Sequence, residues 1–190
     1  MKSRRGFTLI ELMVAIIVIG ALLLIAAPSF RDFIEMQRLR GVNAELVTDV
    51  RYARSEATQR NEPVGMIFGS SGSGEARVDC YTVFRNSAVG CNCTSPQGAV
   101  CANELRTVKV MTSRGVQLSR AEGMPMSFRI DPVSGGLIAQ LLEDGTTMTE
   151  YRIEVNGVRR GQLRNLINST ARPQVCSPDG SVSGVPECSN

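Results

Sequence analysis

The chain has 190 residues, 21 basic against 18 acidic side chains, six cysteines and no histidine. That length suits one domain with an appendage, and 43% hydrophobic with 21% charged residues excludes disorder throughout. Without histidine there is no Ser-His-Asp or Cys-His nucleophile and no histidine-containing metal site, and a net charge of +3 is too small to argue for nucleic acid.

Met1 to Gly6 carry Lys2, Arg4 and Arg5 with no acid. From Phe7 to Pro28 the only ionisable side chain is Glu11. The run from Leu12 to Ala27 lacks polar side chains, but as a helix it covers only ~24 Å at ~1.5 Å per residue. A bilayer core of ~30 Å needs Phe7 to Ile10 as well. Glu11 then lies inside the apolar layer, near its cytoplasmic edge. The basic leader predicts a cytoplasmic N-terminus, with everything after Pro28 outside.

A secretory signal peptide would use Ile25-Ala26-Ala27 as its cleavage site, but the apolar stretch is long and holds an acid. A plain anchor leaves Glu11 as an unexplained cost of ~2.5 kcal/mol or more. Arg5-Gly6-Phe7-Thr8-Leu9-Ile10-Glu11 resembles the class III signal of type IV pilins and type II secretion pseudopilins. The resemblance implies cleavage between Gly6 and Phe7 by prepilin peptidase, N-methylation of Phe7, and a register-setting role in assembly for Glu11. Cleavage would create a positive amine at Phe7, one helical turn from Glu11, and a buried carboxylate needs such a partner. The resemblance also implies a helix bend at Pro28.

After Pro28, apolar residues recur at Phe30, Phe33, Ile34, Val42, Leu46, Val50, Ala53 and Ala57 in helical steps. Glu56 and Arg60 form an i,i+4 pair, and Asn61-Glu62-Pro63 stops the pattern. The prediction is one helix from Phe7 to Arg60.

Eight β-type runs follow: 64–68, 78–84, 105–111, 116–118, 126–130, 137–142, 146–155 and 158–167. Asp144-Gly145 and Asn156-Gly157 read as tight hairpin turns. Met126, Phe128 and Ile130 are expected to alternate inward, as are Thr147, Tyr151, Ile153 and Val155. The fold class is α+β, a long helix packed on an antiparallel sheet head. The predicted organisation is a leader over 1–6, a transmembrane or filament-core helix over 7–28, an amphipathic continuation over 29–61 and a β-rich periplasmic head over 62–190.

The N-terminus, the Phe128-Arg129-Ile130-Asp131-Pro132 segment with Gly135, and a closing strand after a glycine with arginines nearby resemble the GspH/FimT family of minor pilins and pseudopilins. The resemblance implies two packed antiparallel sheets over the helix. It also implies incorporation near the tip of a type IV pilus or a type II secretion pseudopilus. The implied partners are other pilins or pseudopilins, prepilin peptidase and the inner membrane.

Cys80, Cys91, Cys93, Cys101, Cys176 and Cys188 all fall on the predicted external side, where an even count reads as disulfides. Cys176 and Cys188 would staple a short Pro/Gly/Ser-rich tail, and the other four would pair among themselves in an order the sequence leaves open. Cys91-Asn92-Cys93 with Cys101 has poor spacing for a metal site. No metal or cofactor is predicted.

No phosphate loop, nucleophile elbow or carboxylate pair argues for an enzyme. Asp79, Glu143, Asp144, Glu150 and Glu154 read as solvated surface. Arg159, Arg160 and Arg164 on the expected last strand suggest a guanidinium cluster for DNA phosphates. FimT-type pilins bind DNA through a C-terminal Gly-Arg-x-Arg motif, and Gly157-Val158-Arg159-Arg160 does not reproduce that spacing. The alternative is an edge strand whose charges discourage unwanted pairing. Removal of Lys2, Arg4 and Arg5 with the leader would leave 18 side chains of each sign.

Overall fold

The computed structural model describes residues 8–95, 101–142 and 144–189, with the side chains of 24–29 outside that description. The chain falls into two compact units, one ending at Ile34 and one running from Glu35 to Asn190.

Helix α1 runs from Leu9 to Arg60 and continues through Pro28, although proline supplies no N–H to the backbone ladder. In the first unit the side chains from Leu9 to Leu23 are exposed all round, and most are large and apolar. Among the described residues no helix is long and apolar enough to cross a membrane. The predicted span over 7–28 includes Phe7 and side chains from residue 24 onward, which lie outside the described residues.

In the second unit the helix buries Leu39, Leu46, Val50, Ala53 and Ala57, a stripe in steps of three, four and seven. Phe30 and Phe33, expected on the same stripe, are exposed.

Eight strands follow: β1 (Val64–Ser71), β2 (Val78–Arg85), β3 (Glu104–Met111), β4 (Val116–Arg120), β5 (Ser127–Ile130), β6 (Glu150–Gly157), β7 (Gln162–Asn168) and β8 (Pro173–Cys176). They form two antiparallel four-stranded sheets, sheet A in the order β3-β2-β1-β5 and sheet B in the order β4-β6-β7-β8. The class is α+β. Phe68 and Phe128 from sheet A meet Tyr151 from sheet B at ring-centroid distances of 5.8 and 4.8 Å, so an aromatic cluster joins the two sheets.

Several expectations need correction. Residues 137–142 form no strand; they make only the isolated bridges Ile130↔Leu137 and Leu141↔Thr147. Asn156-Gly157 is not a turn. Gly157 ends β6 opposite Val116, and the chain reverses over 158–161, where Gly161 takes the left-handed conformation at φ +86°. Met126 and Thr147 are exposed because each lies just outside its strand, where the alternation no longer holds, and Met148 is buried instead. β8, not anticipated, is a short edge strand that opens on a proline, a position where no ladder hydrogen bond is lost.

Polar contacts at Glu35, Asn43 and Asp49 help to fasten the helix to the head. The Tyr81 hydroxyl donates to Asp49 Oδ2 at 2.7 Å, and Arg106 Nε lies 3.1 Å from the same carboxylate oxygen, which ties the helix to sheet A. Asn165 Nδ2 donates to Asn43 Oδ1 at 2.7 Å, which ties it to sheet B. The Arg159 backbone N–H donates to Glu35 Oε1 at 2.7 Å, which holds the β6–β7 turn. Asp79, expected at the surface, is fully buried, where it pairs with Arg77 at 2.8 Å and accepts the Leu118 N–H at 3.0 Å. Two partners offset the cost of removing that carboxylate from water.

Candidate functional site

The start of α1 has a specific geometry. The Thr8 backbone N–H and hydroxyl both donate to Glu11 Oε2, at 2.8 and 2.9 Å, and the Glu11 N–H donates back to Thr8 Oγ1 at 3.3 Å. With Leu9 the first helical residue, Thr8 is the N-cap and Glu11 the third residue of the first turn. Thr-x-x-Glu is therefore a capping box, in which two otherwise unpaired donors are satisfied reciprocally. The sequence carried this signal, but only the pilin-type role of Glu11 was read from it. Gly6 and Phe7, the predicted cleavage and methylation positions, lie outside the described residues. Pro28 is inside the helix, and its side chain is outside the description.

The arginines behave differently from one another. Arg159 and Arg160 are exposed on the 158–161 turn. Arg164 lies on β7, where its Nη2 is 2.9 Å from Glu154 Oε1 across the β6–β7 pair. β7 is neither the last strand nor an edge, since β8 covers it. The predicted cluster is thus split, and Arg164 is already matched by a carboxylate.

The cysteines form three disulfides. Cys80 joins Cys93 across the strand-to-loop boundary after β2, Cys91 joins Cys101, and Cys176 joins Cys188. Among the described residues no group of acidic, cysteine or histidine side chains is placed to hold a metal ion.

The buried polar residues outside these features are structural in geometry. Burial raises the Asp49 carboxyl above its ordinary value, against the opposing effects of the Tyr81 hydroxyl and the Arg106 guanidinium. Burial and the neighbouring Asp49 push the Tyr81 phenol upward as well, so it remains a donor. Asp49 and Tyr81 are buried and hydrogen-bonded to each other, while the Arg106 guanidinium reaches them from a half-exposed position.

Comparison with known proteins places this geometry. The prokaryotic N-terminal methylation motif matches residues 1–27, and the family described as type II transport protein GspH matches residues 43–171. The chain belongs to the GspH family. It is a pilin-like protein with a methylation-type N-terminus, and its family is one of structural proteins rather than enzymes. Two curated relatives from Moraxella bovis, a type IV major alpha-pilin and fimbrial protein Q, are each 46% identical to this GspH-family chain over 46 residues. Those matches cover 24% of this chain and 29% of each relative, so the shared stretch is less than a third of their length. The type IV minor pilin FimU of Pseudomonas aeruginosa aligns over 75% of this chain and 91% of its own, at 14% identity and a TM-score of 0.46.

Proposed function

We propose that this protein is a minor pilin or pseudopilin that is processed after Gly6, methylated at Phe7 and incorporated near the tip of a type IV pilus or type II secretion pseudopilus. The observation that carries the reading is the order of its parts. A basic leader and methylation motif over 1–27 precede a GspH domain over 43–171 on one chain.

In this reading the leader holds the N-terminus in the cytoplasm, the helix over 7–28 anchors the precursor in the inner membrane, and the β-rich head stands in the periplasm. Prepilin peptidase then removes residues 1–6. The new amine at Phe7 and the Glu11 carboxylate set subunit register among neighbouring pilins or pseudopilins. The exposed apolar side chains from Leu9 to Leu23 give that helix a surface to pack in a filament. A bend at Pro28 would adjust how the two parts of the helix meet neighbouring subunits.

Mass spectrometry of the protein recovered from membranes or filaments tests this directly. The expected mature N-terminus is N-methylated Phe7. A chain beginning at Pro28 or Ser29 would instead make the segment a cleaved signal peptide.

The second reading is capture of DNA, supported by the exposure of Arg159 and Arg160 on one turn. The full chain would then bind duplex DNA with steep salt dependence, and Arg159→Ala/Arg160→Ala would abolish binding. The Arg164–Glu154 pair weighs against it, since that arginine is already engaged.

A further inference from the structure

The second half of α1 leaves one of its faces beside the edge of sheet B. Arg51, Arg54, Ser55 and Thr58 share one helix face through spacings of three and four (51/54, 51/55, 54/58, 55/58), and they line a groove with Arg172, Pro173 and Gln174 around the start of β8. Between them is an open groove of about 720 Å³. All of its walls belong to the Glu35–Asn190 unit.

Three guanidinium groups line this groove and no carboxylate does. Arg54 Nε donates to the Gly135 carbonyl at 3.0 Å, which fixes that side chain and leaves its other N–H groups for a ligand. Arg51 and Arg172 make no ion pair among the described residues. Two acids elsewhere on this polypeptide, one on α1 and one just after β5, are occupied. Glu56 pairs with Arg60 at 2.5 Å, and Asp131 accepts the Ser134 N–H at 2.7 Å. The hydroxyls of Ser55 and Thr58 donate back to helix carbonyls, so positive charge on the walls comes from the arginines alone.

We infer that this groove binds an acidic, extended polypeptide segment of another protein. Guanidinium groups pair with carboxylates through two parallel hydrogen bonds, which suits aspartate and glutamate side chains. β8 is the terminal strand of sheet B, and the C-terminal tail runs parallel to its end, where the Ser177 N–H donates to the Pro186 carbonyl at 2.8 Å. Strand alternation from Ser177 turns the Pro173 carbonyl, in the groove wall, away from β7, where it can accept a hydrogen bond from an extended segment. No aromatic side chain lines the groove, so nucleobases would find no stacking platform.

The test uses the full chain in nonionic micelles at low salt, with a short fluorescein-labelled peptide of alternating Glu and Thr followed by anisotropy. The peptide should bind, a Lys-Thr peptide of the same length should not, and added salt should weaken the complex. Arg51→Gln/Arg172→Gln should weaken binding about tenfold or more, and Arg159→Gln/Arg160→Gln should leave it unchanged. Thr58→Glu, which places a carboxylate in the groove, should abolish binding on its own. Thermal melts of the variants should match the parent. Wild-type affinity in the Arg51/Arg172 variant would overturn the proposal. So would tighter binding of an equally charged DNA that the same variant loses, since the groove would then serve nucleic acid.

Discussion

The Thr8 N–H donates to Glu11 Oε2 at 2.8 Å while the Glu11 N–H donates to Thr8 Oγ1 at 3.3 Å. One carboxylate therefore has two separable jobs: it closes the helix start, and it supplies a negative charge near the predicted mature N-terminus. Glutamine can close the same box but carries no charge. Glu11→Gln is expected to keep the helix start and impair incorporation into filaments, measured by immunoblot of sheared surface fractions. Thr8→Ala is expected to cost the helix start about 1 kcal/mol and to spare incorporation. Normal assembly of Glu11→Gln would leave the carboxylate with a capping role only.

Asp49 gives the head a distinctive pH response. Burial raises its folded-state value above the ordinary aspartate value of 3.8. A raised carboxyl favours the folded state fully below 3.8, and that contribution is lost as pH rises through the folded value. Asp49→Asn lacks this titration. The stability of the parent relative to Asp49→Asn should therefore fall between acid and neutral pH, read as urea midpoints of the full chain in micelles. A difference that grows with pH would mean that Tyr81 and Arg106 more than offset the burial.

The Cys176–Cys188 bond closes a loop with a sequence separation of 12 residues in the tail. Inside that loop Ser177 bridges Glu187, and Val182 is buried. Cys176→Ser/Cys188→Ser is expected to cost about 2–3 kcal/mol. Limited proteolysis should show new cleavage after Val175 while the rest of the head resists.

Gly161 combines a φ of +86° with a site where an added Cβ would lie 2.8 Å from Leu39 Cδ2 and 3.1 Å from Met36 Cε. Gly161→Ala is strained in backbone and in packing at once, with an expected loss of about 1–3 kcal/mol. The thermal midpoint should drop accordingly, and the drop should exceed that of Gly145→Ala, where nothing lies within 4 Å.

The sequence made the helix legible because Leu46, Val50, Ala53 and Ala57 repeat at its own period and Pro63 follows its end. Most strands were visible for a similar reason, as short apolar or alternating runs between turn signals. Alternation is less dependable at strand ends, where Met126 and Thr147 lie outside β5 and β6. Asn156-Gly157 has hairpin composition, but the reversal falls later, around Gly161. β8 has only four residues, and its identity comes from pairing with β7 rather than from its own composition. Glu35, Asn43 and Asp49 carry no local signal of burial, because their partners lie 124, 122 and 32 residues away. The groove beside β8 was hidden for the same reason: Arg51 and Arg172 are far apart in sequence and meet only when sheet B closes against the helix.

The strand order has a consequence for synthesis. β1, β2 and β3 enter sheet A, β4 enters sheet B, β5 returns to sheet A, and the last three strands complete sheet B. A chain emerging from its N-terminus cannot finish sheet A until Ile130 has been made, and by then it has already committed β4 to a sheet whose other strands do not yet exist. Neither sheet is a self-contained folding block. The head should therefore stay open to proteases until nearly the whole chain is available, and then close in a single cooperative step.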